Sequence, residues 1–155
     1  IFVDESENYS DNTWAYHQKQ IPGGSLIPQL ASGNGTTTAT NGVDLVGFES
    51  AMLVLSAGTQ GDTLAANLKY TVKIQDSDDN TTYADVGQAG ITGATLVGGV
   101  WLTLDAAAKV SQSYKAGYIG GKRYVRASLV RTGNHANGTP ISVECVKGSP
   151  HHAPV

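Results

Sequence analysis

The sequence predicts an all-β fold, a jelly-roll-like β-sandwich carrying an extended N-terminal arm. Three observations carry that expectation. Apolar residues recur at every second position in several short runs, the period of a half-buried strand. Clusters of Gly, Asp and Asn separate those runs at the spacing of a sandwich or barrel. Only 15% of the 155 residues are charged and 19 are glycine, where about 25% charged is usual. Surface helices rich in Lys and Glu are therefore not expected.

Residues 1 to 42 differ in character from the rest of the chain. Ile21-Pro22-Gly23-Gly24, Leu26-Ile27-Pro28 and Gly33-Asn34-Gly35-Thr36 show no sustained period. Pro22 and Pro28 hold the residues before them in extended conformations. Phe2, Tyr9, Trp14, Tyr16, Ile21, Leu26, Ile27 and Leu30 make the segment too apolar for a simple disordered tail. It reads as an arm lying on its own domain or on a neighbouring subunit.

The β-sandwich domain is expected over 43–148. Residues 44 to 57 read as one long strand or as two broken near Gly47, and the apolar run Ala51–Leu55 predicts cover on both faces. Leu68, Tyr70, Val72 and Ile74 alternate with Lys69, Thr71, Lys73 and Gln75. Asp76-Ser77-Asp78-Asp79-Asn80 then turns the chain back into Thr81–Val86. Thr95–Leu104 supplies a strand containing Trp101, with a bulge or bend at Gly98-Gly99. Asp105–Ser113, with three consecutive alanines, has room for one helical turn.

Ser111–Ile119 and Lys122–Arg131 are expected to form a hairpin about Gly120-Gly121, since glycine pairs supply the positive φ values of two-residue turns. On its second strand Val125, Ala127 and Leu129 face the core, opposite Tyr124, Arg126 and Ser128. Thr139–Lys147 closes the domain, and residues 149–155 form a short tail.

Charge is unevenly distributed. Asp4, Glu5, Glu7 and Asp11 precede the first basic residue, Lys19, whereas Lys109 to Lys147 holds seven basic residues and one acid, Glu144. The net charge of −3 argues against a general nucleic-acid binder. The asymmetry suits complementary patches between copies or toward a larger assembly.

Sites for chemistry are hard to assemble from these residues. Cys145 is the single cysteine, so neither an internal disulfide nor a cysteine zinc site is expected. In the alternating run Ile141, Val143, Cys145 it reads as a buried apolar residue. Asp76, Asp78 and Asn80 match the first ligand positions of a calcium loop, but Thr81 and Gly87 stand where its glycine and glutamate belong. A tight acidic turn is the better reading. His17, His135, His151 and His152 show no metal-ligand spacing. No nucleophile elbow or phosphate loop appears, and no run approaches the length of a membrane span. The acidic first residues do not follow the pattern of a signal peptide. No cofactor, metal site or enzymatic activity is expected.

The block from Leu68 to Val86, LKYTVKIQDSDDNTTYADV, resembles small structural proteins of tailed bacteriophages that are often encoded among the head genes. Gly117–Arg126 and the ending Gly148–Val155 resemble the same group, and the likeness covers roughly residues 43 to 155. It implies a virion component without enzymatic activity. Its expected role is a cement or decoration protein on the outer capsid surface, with the major capsid protein and neighbouring copies of the chain as partners. The arm is longer than the starts of that group.

On this reading Trp14, Tyr16, Ile21, Leu26 and Ile27 anchor the arm, aromatic residues being favoured interface anchors, while Arg123 and Arg126 meet acidic patches. Two other classes stay open. One is a head–tail connector or tail component of the same virion. The other is a carbohydrate-binding β-sandwich module built on Trp101, Tyr83 and the acidic turn.

Overall fold

The structure, a computed structural model, describes residues 26–38 and 41–151. These form nine strands and two short 3-10 turns, with no α-helix among the described residues. The strands are β1 (Leu26–Thr38), β2 (Val43–Asp44), β3 (Phe48–Ala57), β4 (Lys69–Ser77), β5 (Ala84–Asp85), β6 (Ile91–Thr92), β7 (Leu102–Leu104), β8 (Gln112–Tyr118) and β9 (Tyr124–Pro150). The all-β class is as expected. The helical turn foreseen near the alanines is the 3-10 turn Ala107–Lys109.

All pairing is antiparallel, in one curled sheet of order β5–β4–β9–β3–β8–β6, with β1 and β2 also on β9 and β7 on β4. The 27-residue β9 makes the curl possible. Its first part pairs with β4 from Thr132 back to Tyr124. Its last part pairs with β3 from Ile141 to Pro150. Between the two lies an elbow where Gly133 and Gly138 take φ of 78° and 71°, values that L side chains resist. Asp62 fixes the elbow by accepting the Asn137 and Gly138 amides at 3.1 and 2.8 Å. Buried His135 stacks on Tyr70 with ring centroids 4.1 Å apart.

Both parts of β9 send side chains into one core. Val125, Ala127 and Leu129 come from the first, Ile141, Val143 and Cys145 from the second, and all are buried. They meet Leu53 and Leu55 of β3 and Tyr70, Val72 and Ile74 of β4. Full burial of side chains of this kind is worth roughly 1.5–3 kcal/mol each, so the core rather than local propensity holds the sheet together. Burial also pushes the Cys145 thiol up to about 12, as suits a packing residue.

β1 lies before the boundary at 42 and runs along β9 of the same chain, from Leu26 opposite Val143 to Thr38 opposite Ser128. The break foreseen at Gly47 is present, with φ of 84° between β2 and β3. Cover on both faces of Ala51–Leu55 is not. Ala51, Leu53 and Leu55 are buried, but Met52 is 42% exposed, because none of the described strands packs over that face of β3.

The hairpin about Gly120-Gly121 does not form either. β8 pairs with β3 and β6, while β9 pairs with β4 and β3, so residues 119–123 cross between strands that are not neighbours. Neither glycine has positive φ. The crossing residues are bound elsewhere: the Ile119 amide donates to Gly90 O and the Leu45 amide to Arg123 O. The glycine pair that does make a two-residue turn is Gly98-Gly99. Their φ values of 59° and 77° sit inside reciprocal hydrogen bonds between Val97 and Val100, the geometry of a primed hairpin turn.

Candidate partner-binding face

Strands β8, β3 and β9 lie side by side, and their registers set the outer face row by row. Gly117, Met52 and Val146 form one row, and Lys115, Val54 and Glu144 the next. Alternation turns Leu53 and Cys145 inward and therefore turns Met52 and Val146 outward. Gly117 adds no side chain, and a Cβ there would meet Thr92 Cγ2 at 2.6 Å. Thr92 therefore packs over the glycine end of the row and forms part of the wall. The result is a groove of about 590 Å³ lined by Met52, Val146 and Ile119, with Lys115 and Lys147 also in its wall.

A second concavity of about 730 Å³ continues from Ile119 past Val46 and Phe48 to Lys122, Arg123 and His151. Among the described residues six large apolar side chains are exposed, and four of them, Val46, Met52, Ile119 and Val146, line these two hollows. Single exposed apolar residues are ordinary, whereas a contiguous set rimmed by polar groups is characteristic of a contact surface.

Internal pairs set the electrostatics of the crossover end. The Arg123 guanidinium grips Asp44 with two bonds of 3.0 and 2.8 Å. That contact, first among its causes, holds the Asp44 carboxyl below its ordinary range. Lys122 pairs with Asp78, which raises the ammonium above its usual value. Below them the buried Tyr118 hydroxyl donates to Asp76 Oδ2 at 2.9 Å and accepts the Lys122 amide at 3.2 Å. Burial, reinforced by the Asp76 bond, drives its pKa up. Lys147 sits 5.1 Å from the Phe48 ring, and Lys115 is exposed.

Arg123 and Arg126, both expected to meet acidic patches, stand on different elements, the crossover and β9. Arg126 stands on the part of β9 that pairs with β4, opposite Gln75. It donates to Gln75 Oε1 at 3.0 Å and its guanidinium lies 3.6 Å from the Tyr83 ring centroid. The broken hairpin separates the two, because Arg123 belongs to the crossover and Arg126 to the sheet. Trp14, Tyr16 and Ile21 lie outside the described residues. Leu26 and Ile27 lie in β1, and the pairing of Leu26 with Val143 places that strand on its own chain.

The acidic loop folds as a turn. Asp79 Oδ1 accepts the Thr82 and Thr81 amides at 2.7 and 2.8 Å and the Ser77 hydroxyl at 2.8 Å, and Asn80 takes a φ of 58°. Those bonds, the Thr82 amide foremost, hold the Asp79 carboxyl at about 2. Among the described residues no group of three His, Cys, Asp or Glu side chains is placed to hold a metal ion. Trp101 is buried and Tyr83 lies under Arg126, so neither ring stands as an open sugar platform.

The sequence did not single out Met52, Val146, Ile119, Val46, Lys115 or Lys147. The unbroken run Ala51–Leu55 was the available signal. An apolar residue on each side of a strand means either two covered faces or one covered face and one sticky one. No protein-family model matches the chain, and no curated protein shows significant similarity to it.

Proposed function

We propose that this chain is a virion structural protein, a cement or decoration protein that binds the outer surface of an icosahedral shell. The single observation supporting this reading most directly is the apolar track Met52–Val146–Ile119–Val46 with its lysine rim. Binding alone is the mechanism. Apolar side chains seat in shell pockets, while Lys115 and Lys147 select acidic surroundings and set orientation. The likeness of residues 43–155 to phage head proteins favours the shell as partner, and neighbouring copies bridge its subunits.

Pairing the chain with empty shells tests the reading. Met52→Glu with Val146→Glu is expected to weaken binding at least tenfold while the fold persists. Undiminished binding by the double variant would reject this face as the contact. A head–tail connector is the second reading, favoured by the same likeness. Counting copies in purified particles separates the two, since a connector forms a closed ring of about a dozen subunits whereas a cement protein coats the shell in the hundreds.

A further inference from the structure

We infer that Asn34-Gly35 is a site of spontaneous covalent modification, where the asparagine closes to a succinimide that opens to aspartate or isoaspartate. The inference is independent of the reading of the outer face. The chain holds three Asn-Gly pairs, Asn34-Gly35, Asn41-Gly42 and Asn137-Gly138. Each has the composition for this reaction, because glycine has no Cβ to keep its nitrogen away from the preceding side chain. The glycine nitrogen bonds to the asparagine Cγ and loses its proton, while the bond from Cγ to the side-chain nitrogen breaks and ammonia leaves. Water then adds to one of the two ring carbonyls. The glycine amide must therefore have room to turn and must be able to give up its proton.

At two of the pairs the fold withholds that amide. The Gly138 amide donates to Asp62 Oδ2 at 2.8 Å, and Asn137 Nδ2, the group that would leave, donates to Asp62 Oδ1 at 3.1 Å. A carboxylate beside the amide disfavours loss of its proton. Ala31 packs so closely that a Cβ on Gly138 would fall 3.0 Å from its carbonyl carbon. The Gly42 amide donates to Asn80 Oδ1 at 2.8 Å, and a Cβ there would fall 2.5 Å from the Tyr83 hydroxyl and 2.8 Å from Tyr124 Cβ. Asn34-Gly35 differs on each count. Both residues are exposed, and they lie where β1 slips register against β9. Gly33 faces His135 and Gly35 faces Arg131, so Thr132, Gly133 and Asn134 stand opposite Asn34 alone. Gly33 and Gly35 take φ of 72° and 104°. Among the described residues the nearest contact of a Cβ on Gly35 would be Arg131 Nη2, at 3.9 Å. That guanidinium donates to Ser32 O at 2.5 Å and sets a fixed positive charge beside the amide that must lose its proton.

Incubating the full chain at mildly alkaline pH, folded and in concentrated urea, and then mapping its peptides by mass spectrometry tests the inference. In the folded chain Asn34 is expected to convert at least tenfold faster than Asn41 or Asn137, giving both aspartyl and isoaspartyl products. In urea the three are expected to convert at similar rates, since the holds on Gly42 and Gly138 are gone. Asp62→Ala is expected to raise conversion of Asn137 at least tenfold while Asn41 stays slow. Arg131→Gln is expected to slow Asn34 at least threefold, and an unchanged rate removes Arg131 from the inference. An Asn34 no faster than the other two in the folded, unaltered chain overturns it, and that comparison needs no variant to fold. Asn137 unmoved by Asp62→Ala overturns the part given to Asp62. Asn41 and Asn137 rising together in that variant also overturn it, by assigning their protection to the fold as a whole.

Discussion

The Tyr118 hydroxyl at the end of β8 donates to Asp76 Oδ2 at the end of β4, 2.9 Å away and 42 residues distant in sequence. The same oxygen accepts the Lys122 amide at 3.2 Å, so one buried phenol ties the crossover to two strands that do not pair with each other. Tyr118→Phe keeps the ring and removes both bonds. A loss of about 1–3 kcal/mol is expected, because partners are left unsatisfied, and urea unfolding followed by Trp101 emission measures it. Gly120→Ala is expected to destabilise as well, since its Cβ would fall 2.6 Å from Tyr118 Cε2.

The two glycine pairs are expected to respond with opposite signs. Gly98→Ala and Gly99→Ala place a side chain at positive φ and should each cost about 1–2 kcal/mol. Gly121 has ordinary φ and open space around a Cβ. Gly121→Ala should therefore be neutral or stabilising by up to about 1 kcal/mol through the unfolded chain. Thermal midpoints of the three variants decide between this arrangement and a turn at residues 120–121.

Acid should weaken the fold through its carboxylates. Asp79 sits at about 2, against an ordinary value of 3.8. Asp85, held chiefly by Lys73, and Asp44, held by Arg123, are also lowered. Each folded carboxyl holds its proton less tightly than the unfolded one. The stabilisation is therefore complete above roughly pH 4 and disappears as pH falls toward 2. Denaturant midpoints should drop across that window, and Asp79→Asn should flatten the acid limb.

Met52→Glu with Val146→Glu should separate binding from stability. Both side chains are exposed, so the change in unfolding free energy should stay within about 0.5 kcal/mol per site. Leu53→Ala, one residue away and buried, should cost about 2–5 kcal/mol. Parallel unfolding and shell-binding curves for the two variants check the contrast.

Much of this fold was legible in the sequence because alternation is local. Tyr70, Val72 and Ile74 point inward as their period requires, and the acidic turn follows from Asp79 and Asn80 themselves. Pairing is not local. Gly120-Gly121 carries the composition of a hairpin turn, but Tyr118 spends its hydroxyl on Asp76 and Ile119 its amide on Gly90, and those distant partners decide the path. The candidate face was hidden for a related reason. Met52 and Leu53 are both apolar, and only their exposure in the folded sheet, 42% against 1%, distinguishes them.

The position of β9 bears on how the chain comes to be folded at all. It is the last strand among the described residues, yet β1 and β2 have no other described strand partner and β3 and β4 each take one long edge from it. During synthesis β3 and β8 can zip together early, but the sheet cannot close until Pro150 has been made. Such distant pairings fold slowly and leave strand edges open in the meantime. A chain halted anywhere before the elbow at Gly133–Gly138 would present β3 with a bare edge. The newborn chain is therefore most prone to self-association in the interval before β9 is complete.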